Sequence, residues 1–112
     1  MRKSKPNAMI TVKISRDAER RIVAFHVKGH ANSAPHGQDL ICGAVSALTQ
    51  SAALGIGQYL RRPHRLQAGN GLFLLALCGS PDAQTDAVLE TMLLGLREIA
   101  ALGAGFVRIV DK

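Results

Sequence analysis

Tryptophan is absent from this 112-residue chain, and one tyrosine and three phenylalanines are its only aromatic residues. The four, Phe25, Tyr59, Phe73 and Phe106, are not interleaved with basic residues, which argues against a base-stacking platform for nucleic acid. Cysteine is almost as scarce, with Cys42 and Cys78 the only two. Two thiols, no secretory signal pattern and no unbroken apolar run of eighteen residues predict a reduced, soluble, cytoplasmic protein without a structural disulfide or a membrane span. Carboxylates are outnumbered, eight Asp and Glu against fourteen Lys and Arg, for a formal charge of +6. That balance suits a polyanionic neighbourhood such as the ribosome. Part of the charge lies in residues 1–8, which lack hydrophobic periodicity and are expected to be a disordered extension, with Met9 an alternative start.

What is present is apolar: 47% hydrophobic residues, enough for one domain over 9–112 with a single core and no metal. Residues 9–15 alternate, with Ile10, Val12 and Ile14 on one face, and 16–20 form a polar turn. Alternation resumes over 21–28 with Val23, Phe25 and Val27 facing in, so a hairpin is predicted. The stretch 31–38, rich in Asn, Ser, Pro and Gly, reads as a loop and a mobile lid. With Asp39 as cap, Leu40, Ile41, Ala44, Val45, Leu48, Ala52 and Ile56 give a helix its core face, leaving Cys42, Ser46, Thr49 and Ala53 on a more polar stripe. Gly55 and Gly57 weaken its end and Pro63 stops it.

Residues 64–69 and 72–78 flank Asn70-Gly71, a dipeptide suited to a type I′ hairpin turn. Residues 72–78 are apolar on both faces, so this strand is expected to be central or covered by a second copy of the chain, with Cys78 packed inside. Ser80 with Pro81 behind it is the expected start of a second helix, whose core face is Val88, Leu89, Met92, Leu93, Leu96 and Ile99. It closes at Gly103 or Gly105, and 106–110 make a last strand. The order β-β-α-β-β-α-β defines an α+β fold of two layers, a mostly antiparallel sheet packed against two helices.

Chemistry concentrates in Gly29-His30-Ala31 and, twelve positions after the histidine, Cys42. A cysteine just inside a helix capped by Asp39 would meet the positive helix end, which favours the thiolate, and His30 would manage protons. The N–H groups of Cys42 and Gly43 are candidate oxyanion donors, with Gly43 leaving room for a carbonyl and Gln38 offering an amide. Asp39 caps the helix or orients His30, Ser46 is a small polar support one turn on, and His36 is a loop residue at the rim. His26 and His64 read as surface residues. His30, His36, Asp39 and Cys42 could in principle hold zinc, but their spacing matches no compact zinc signature and coordination would occupy the thiolate, so no metal or cofactor is expected.

Gly29-His30-Ala31, Gly37, Asp39-Leu40-Ile41-Cys42 and Ser46, in this order and spacing, resemble the Prp family of ribosomal-processing cysteine proteases. The resemblance implies a cytoplasmic, metal-free, homodimeric endopeptidase that removes an N-terminal extension from the large-subunit ribosomal protein numbered twenty-seven. It makes Cys42 the nucleophile and His30 the general base and later acid, with Asp39 and Ser46 matching further motif positions; with the residues' own chemistry this gives Gly29, Gln38, Asp39, Gly43 and Ser46 as supporting or substrate-binding positions. The alternative is a non-catalytic ribosome-associated or RNA-binding module using the basic charge, for which paired His30 and Cys42 would be superfluous. Direct nucleic-acid binding is not expected.

Overall fold

A computed structural model describes residues 10–29, 36–102 and 105–112, with 36–39 described as backbone. The alternation of the first segment produces β1 (Ile10–Arg16), in which Ile10, Val12 and Ile14 are almost wholly buried. It pairs antiparallel with β2 (Ile22–Lys28). The register slips between Ser15 and Arg16, so that Arg16 stands opposite Ile22 and Ser15 opposite Ala24. That slip puts Ile22, rather than the expected Val23, on the inner face with Phe25, because an irregularity resets the two-residue period.

After α1 (His36–Leu54) the chain makes one π-helical turn, Gly55–Tyr59, and enters the hairpin of β3 (His64–Gly69) and β4 (Leu72–Leu77). α2 (Ala83–Leu102) and β5 (Val107–Asp111) complete the order read from the sequence. In space the strands run β3-β4-β2-β1-β5, every pair antiparallel except β1 with β5. The result is the expected α+β arrangement: both helices bury their inner stripes on one sheet face, where Phe25, Leu75, Leu89 and Leu96 are fully enclosed. β4 contributes Phe73, Leu75 and Leu77 to this core, which leaves Leu72, Leu74 and Ala76 on the face without helices.

Five local expectations change. α1 begins at His36, so the last residues of the anticipated loop are helical and Asp39 lies inside the first turn rather than capping it. Its buried stripe is Val45, Thr49, Ala52 and Ala53, continued by Ile56 in the π-helical turn, with Leu40 three-quarters exposed at 76%. The buried Thr49 hydroxyl is satisfied by the Val45 carbonyl at 2.9 Å, which lets a polar residue occupy a core position. The stretch Leu40–Tyr59, with mean hydropathy 1.5, is long and apolar enough by composition to cross a membrane; 28% of it is buried in the core, and Leu40, Leu54 and Tyr59 stand exposed.

α2 is capped by Asp82, not Ser80. The Asp82 carboxylate accepts from the N–H groups of Gln84 and Thr85 at 2.9 and 3.0 Å, and Thr85 returns its hydroxyl to the Asp82 N–H at 2.9 Å. The Arg62 guanidinium beside it, and these backbone donors, hold the Asp82 carboxyl below the usual range. Cys78, expected in the core, follows the last residue of β4 and is exposed. His64, expected at the surface, is half-buried, with its ring against Gly57 and Nδ1 2.9 Å from the Arg62 carbonyl.

One charged cluster joins the layers. Arg16, at the end of β1, donates to both Asp111 oxygens at 2.7 and 3.1 Å and to Glu90 of α2 at 2.7 Å, while Arg97 of α2 reaches Asp111 at 3.0 Å. The Arg16 hydrogen bonds depress the Asp111 carboxyl and raise the guanidinium further. Because the folded-state value of Asp111 is lowered, its stabilisation is present above the unfolded-state value near ~3.9 and is lost as pH falls through the folded one. Asp111→Asn should therefore cost about 2 kcal/mol at neutral pH, and the gap from wild type should close on acidification below pH ~4, as read from urea midpoints across pH. A constant gap down to the acid limit would contradict this assignment.

Candidate active site

Gly29 follows the last residue of β2 with φ of +84°, a left-handed conformation that glycine adopts without the steric cost of a side chain. Its N–H donates to the Gly71 carbonyl at 2.8 Å, which fastens the end of β2 to the β3–β4 turn. That turn is the one anticipated from Asn70-Gly71, both residues having positive φ, 52° and 74°. Together they form one wall of an open cleft of about 210 Å³. Val27, Gly29 and Phe73 come from the strands, Ala68, Gly69 and Leu72 from around the turn, and α1 supplies Ser46 and Gln50 opposite.

The structure thus brings Gly29 and Ser46 to one cleft from positions seventeen residues apart in the chain. Cys42 lies one helical turn before Ser46, a spacing that puts Cβ atoms about 5–6 Å apart, and is half-exposed while packing against the core. It sits at the head of the inward stripe with Val45 and Thr49 rather than on a separate polar stripe, because the helix is rotated from the expected phase. Cys42 does not itself line the 210 Å³ cleft; it stands toward the helix start from it. Gly43 is exposed, and a Cβ built there would meet nothing within 4 Å, so the surface above it is open.

Starting α1 at His36 alters two electrostatic expectations. Cys42 becomes the seventh helical residue and lies in the second turn, where the helix-end field has largely fallen away. By helical geometry the N–H groups of Cys42 and Gly43 point to carbonyls four residues back, so the free donors belong to the first turn instead. Gln38 and Asp39 occupy that turn as backbone, and their side chains fall outside the described residues. His30 and residues 31–35 also lie outside them, as does residue 36 beyond its backbone, so the His30–Cys42 pairing and the lid are not placed.

Gln50 and the turn residues were missed in the sequence. Gln50 was legible in principle, being four residues beyond Ser46 on the same helix face. Ala68 and Gly69 had no local signal, since only the pairing of β4 with β2 carries them to the site.

Comparison with known proteins places this geometry in a group. The family described as "Cysteine protease Prp" matches residues 9–107. The Bacillus subtilis (strain 168) ribosomal processing cysteine protease Prp is 46% identical over 44 residues, which is 39% of this chain and 39% of that one. The Staphylococcus aureus (strain Mu50) protein of the same name is 30% identical over 93 residues, 81% of this chain and 88% of its own. A crystal structure of the S. aureus processing protease with a substrate peptide superposes with a TM-score of 0.85 at 23% identity, covering 93% of this chain and all of that one. A second, with a covalently linked product peptide, gives 0.83 at 24% identity over the same shares.

The open surface above Gly43 yields a direct test. Gly43→Ala should raise stability by about 0.5–1 kcal/mol, as expected for alanine replacing glycine on an exposed helix face, with urea unfolding as the measurement. A loss of stability would mean that Gly43 is sterically enclosed.

Proposed function

This chain belongs to the Prp family of cysteine proteases, and on that footing we propose that it removes the N-terminal extension of the large-subunit ribosomal protein numbered twenty-seven, in the cytoplasm, with Cys42 as nucleophile and His30 as proton carrier. The observation that carries the reading is a half-exposed thiol, one helical turn before the Ser46 that lines a cleft bounded by Gly29. The cleft is open and lined by strand ends and a glycine turn, a shape that accepts an extended peptide.

In the proposed reaction the Cys42 thiolate adds to the scissile carbonyl carbon, forming the C–S bond and placing the electron pair on oxygen. Collapse of the tetrahedral species breaks the C–N bond as His30 delivers its proton to the departing amine, leaving a thioester. Water, deprotonated by His30, then adds to the thioester carbonyl, and the C–S bond breaks to release the new carboxylate end of the peptide and the Cys42 thiolate. Donors for the transient oxyanion are supported best at the first turn of α1, where Gln38 and Asp39 lie and backbone N–H groups lack helical acceptors. Gly43 gives clearance and Ser46 a polar cleft wall.

Homodimerisation is part of the proposal. The outer side of the helix layer carries an apolar groove of about 420 Å³ between α1 and α2, lined by Leu48, Val88 and Met92 among others. Leu54 and Leu94 stand exposed on the same two helices. This surface is the one that suits a second copy.

Mass spectrometry of a peptide spanning the extension junction is the deciding measurement. Wild type should cut one bond, Cys42→Ala should cut none, and His30→Ala should lose roughly 10²–10⁴ in rate. An active Cys42→Ala variant would end the reading. For the assembly, light scattering should give twice the 11.9 kDa chain mass, and Leu54→Glu with Leu94→Glu should return it to one chain. An unchanged dimer in that double variant would move the interface elsewhere.

A further inference from the structure

The sheet face without helices carries a charge pattern that neither the fold nor the peptidase chemistry uses. The pairing register defines it row by row. Val110, Lys13, His26, Leu74 and Gln67 stand abreast on β5, β1, β2, β4 and β3. The row on one side holds Arg108, Thr11, Lys28 and Leu72, and the row on the other holds Ser15, Ala24, Ala76 and Arg65. Lys13, Lys28, Arg65 and Arg108 are all exposed. None of the four joins an ion pair among the described residues.

Carboxylates are gathered elsewhere. Asp17 and Glu19 lie in the β1–β2 turn, Asp82, Asp86, Glu90 and Glu98 on α2 or its cap, and Asp111 faces α2, engaged by Arg16. The described open face is therefore cationic and free of acid. From Arg108 on one edge strand to Arg65 on the other is four strand spacings, about 19 Å, so the charges form a field rather than a point.

Three occupants compete, and the chemistry separates them. A second copy presenting the same face would oppose cation to cation. An anionic bilayer rewards protruding apolar side chains, yet Leu72, Leu74, Ala76 and Val110 are half-buried between their neighbours. A phosphate backbone needs spaced cations with hydroxyl and amide donors between them, as Thr11, Ser15 and Gln67 provide. Among the described residues no Phe, Tyr or Trp stands on this face, since Phe25, Phe73 and Phe106 pack against the core, and its single aromatic group is the half-buried His26 ring, so the contact is to backbone rather than to a stack of bases.

We propose that the uncovered sheet face docks the phosphate backbone of folded RNA, holding the protein on an RNA-rich particle while the cleft at the sheet's rim remains free. This revises the expectation that nucleic acid is not contacted directly. It does not rest on the peptidase reading, because its readout is binding.

The test is fluorescence anisotropy of a labelled RNA duplex of about 16 base pairs with the full chain, titrated across salt concentration. Wild type should bind with log affinity falling by about 3.6 for each log unit of salt, as about four phosphate contacts require. Lys13→Gln, Arg65→Gln and Arg108→Gln together should weaken low-salt binding at least ~10-fold and reduce the slope to about one, with the thermal melt and junction-peptide cleavage unchanged. Should the triple variant misfold, Lys13→Gln and Arg108→Gln alone should each lower the slope by about one. Binding that survives the triple variant but disappears on deletion of residues 2–8, with their Arg2, Lys3 and Lys5, would overturn the proposal. So would no binding by wild type, or binding to phosphatidylserine vesicles with none to the duplex.

Discussion

Burial on one side only is the constraint from which this molecule follows. Two helices cover one sheet face, so every strand turns one side to the core and the other away from it, and alternation in β1 and β2 is the direct result, while β4 stays apolar on both sides. The same constraint places the cleft. Where α1 passes the ends of β2 and β4, the helix layer and the sheet part at their common rim, and small residues there leave space that larger ones would fill. The Arg16 cluster works at a different rim, binding β1, β5 and α2 where the lone parallel strand pair ends.

The start of α1 bears most directly on chemistry. A thiol in the second turn receives little from the helix end, so its activation would fall more heavily on a partner side chain than a first-turn placement would require. The first turn is left free to serve the oxygen of a reacting carbonyl. Nucleophile and anion site would then be separate parts of one helix, about one turn apart.

The sheet was the most legible part of the sequence. Period-two patterning in 10–16 and Asn70-Gly71 between apolar runs are local signals, and both hairpins formed as read. Helix phase was less legible, because small residues blur an amphipathic boundary. Ala44, Ala47, Ala52 and Ala53 are nearly equivalent by hydropathy, and a threonine that bonds its own helix can sit inside. The α2 cap was misassigned because Ser80 and Asp82 both lie near the helix start and geometry rather than residue type selects between them, while Asp39 was misread because α1 begins three residues earlier, at His36. At the site, the motif from Gly29 to Ser46 was readable as a family signature, whereas the opposite wall was not, since it arrives through strand pairing across a long stretch of chain.

The outward position of Cys78 has a practical side for anyone handling the protein. A thiol on the surface, just past the end of a strand, is free to be oxidised against the same thiol of another molecule, and such a link would travel as a dimer through gels and columns without any native interface. Association measured in aerated buffer would then report sulfur chemistry and not the helix groove. Reducing conditions, or serine at this position, restore the distinction between a covalent artefact of storage and an assembly built by the fold.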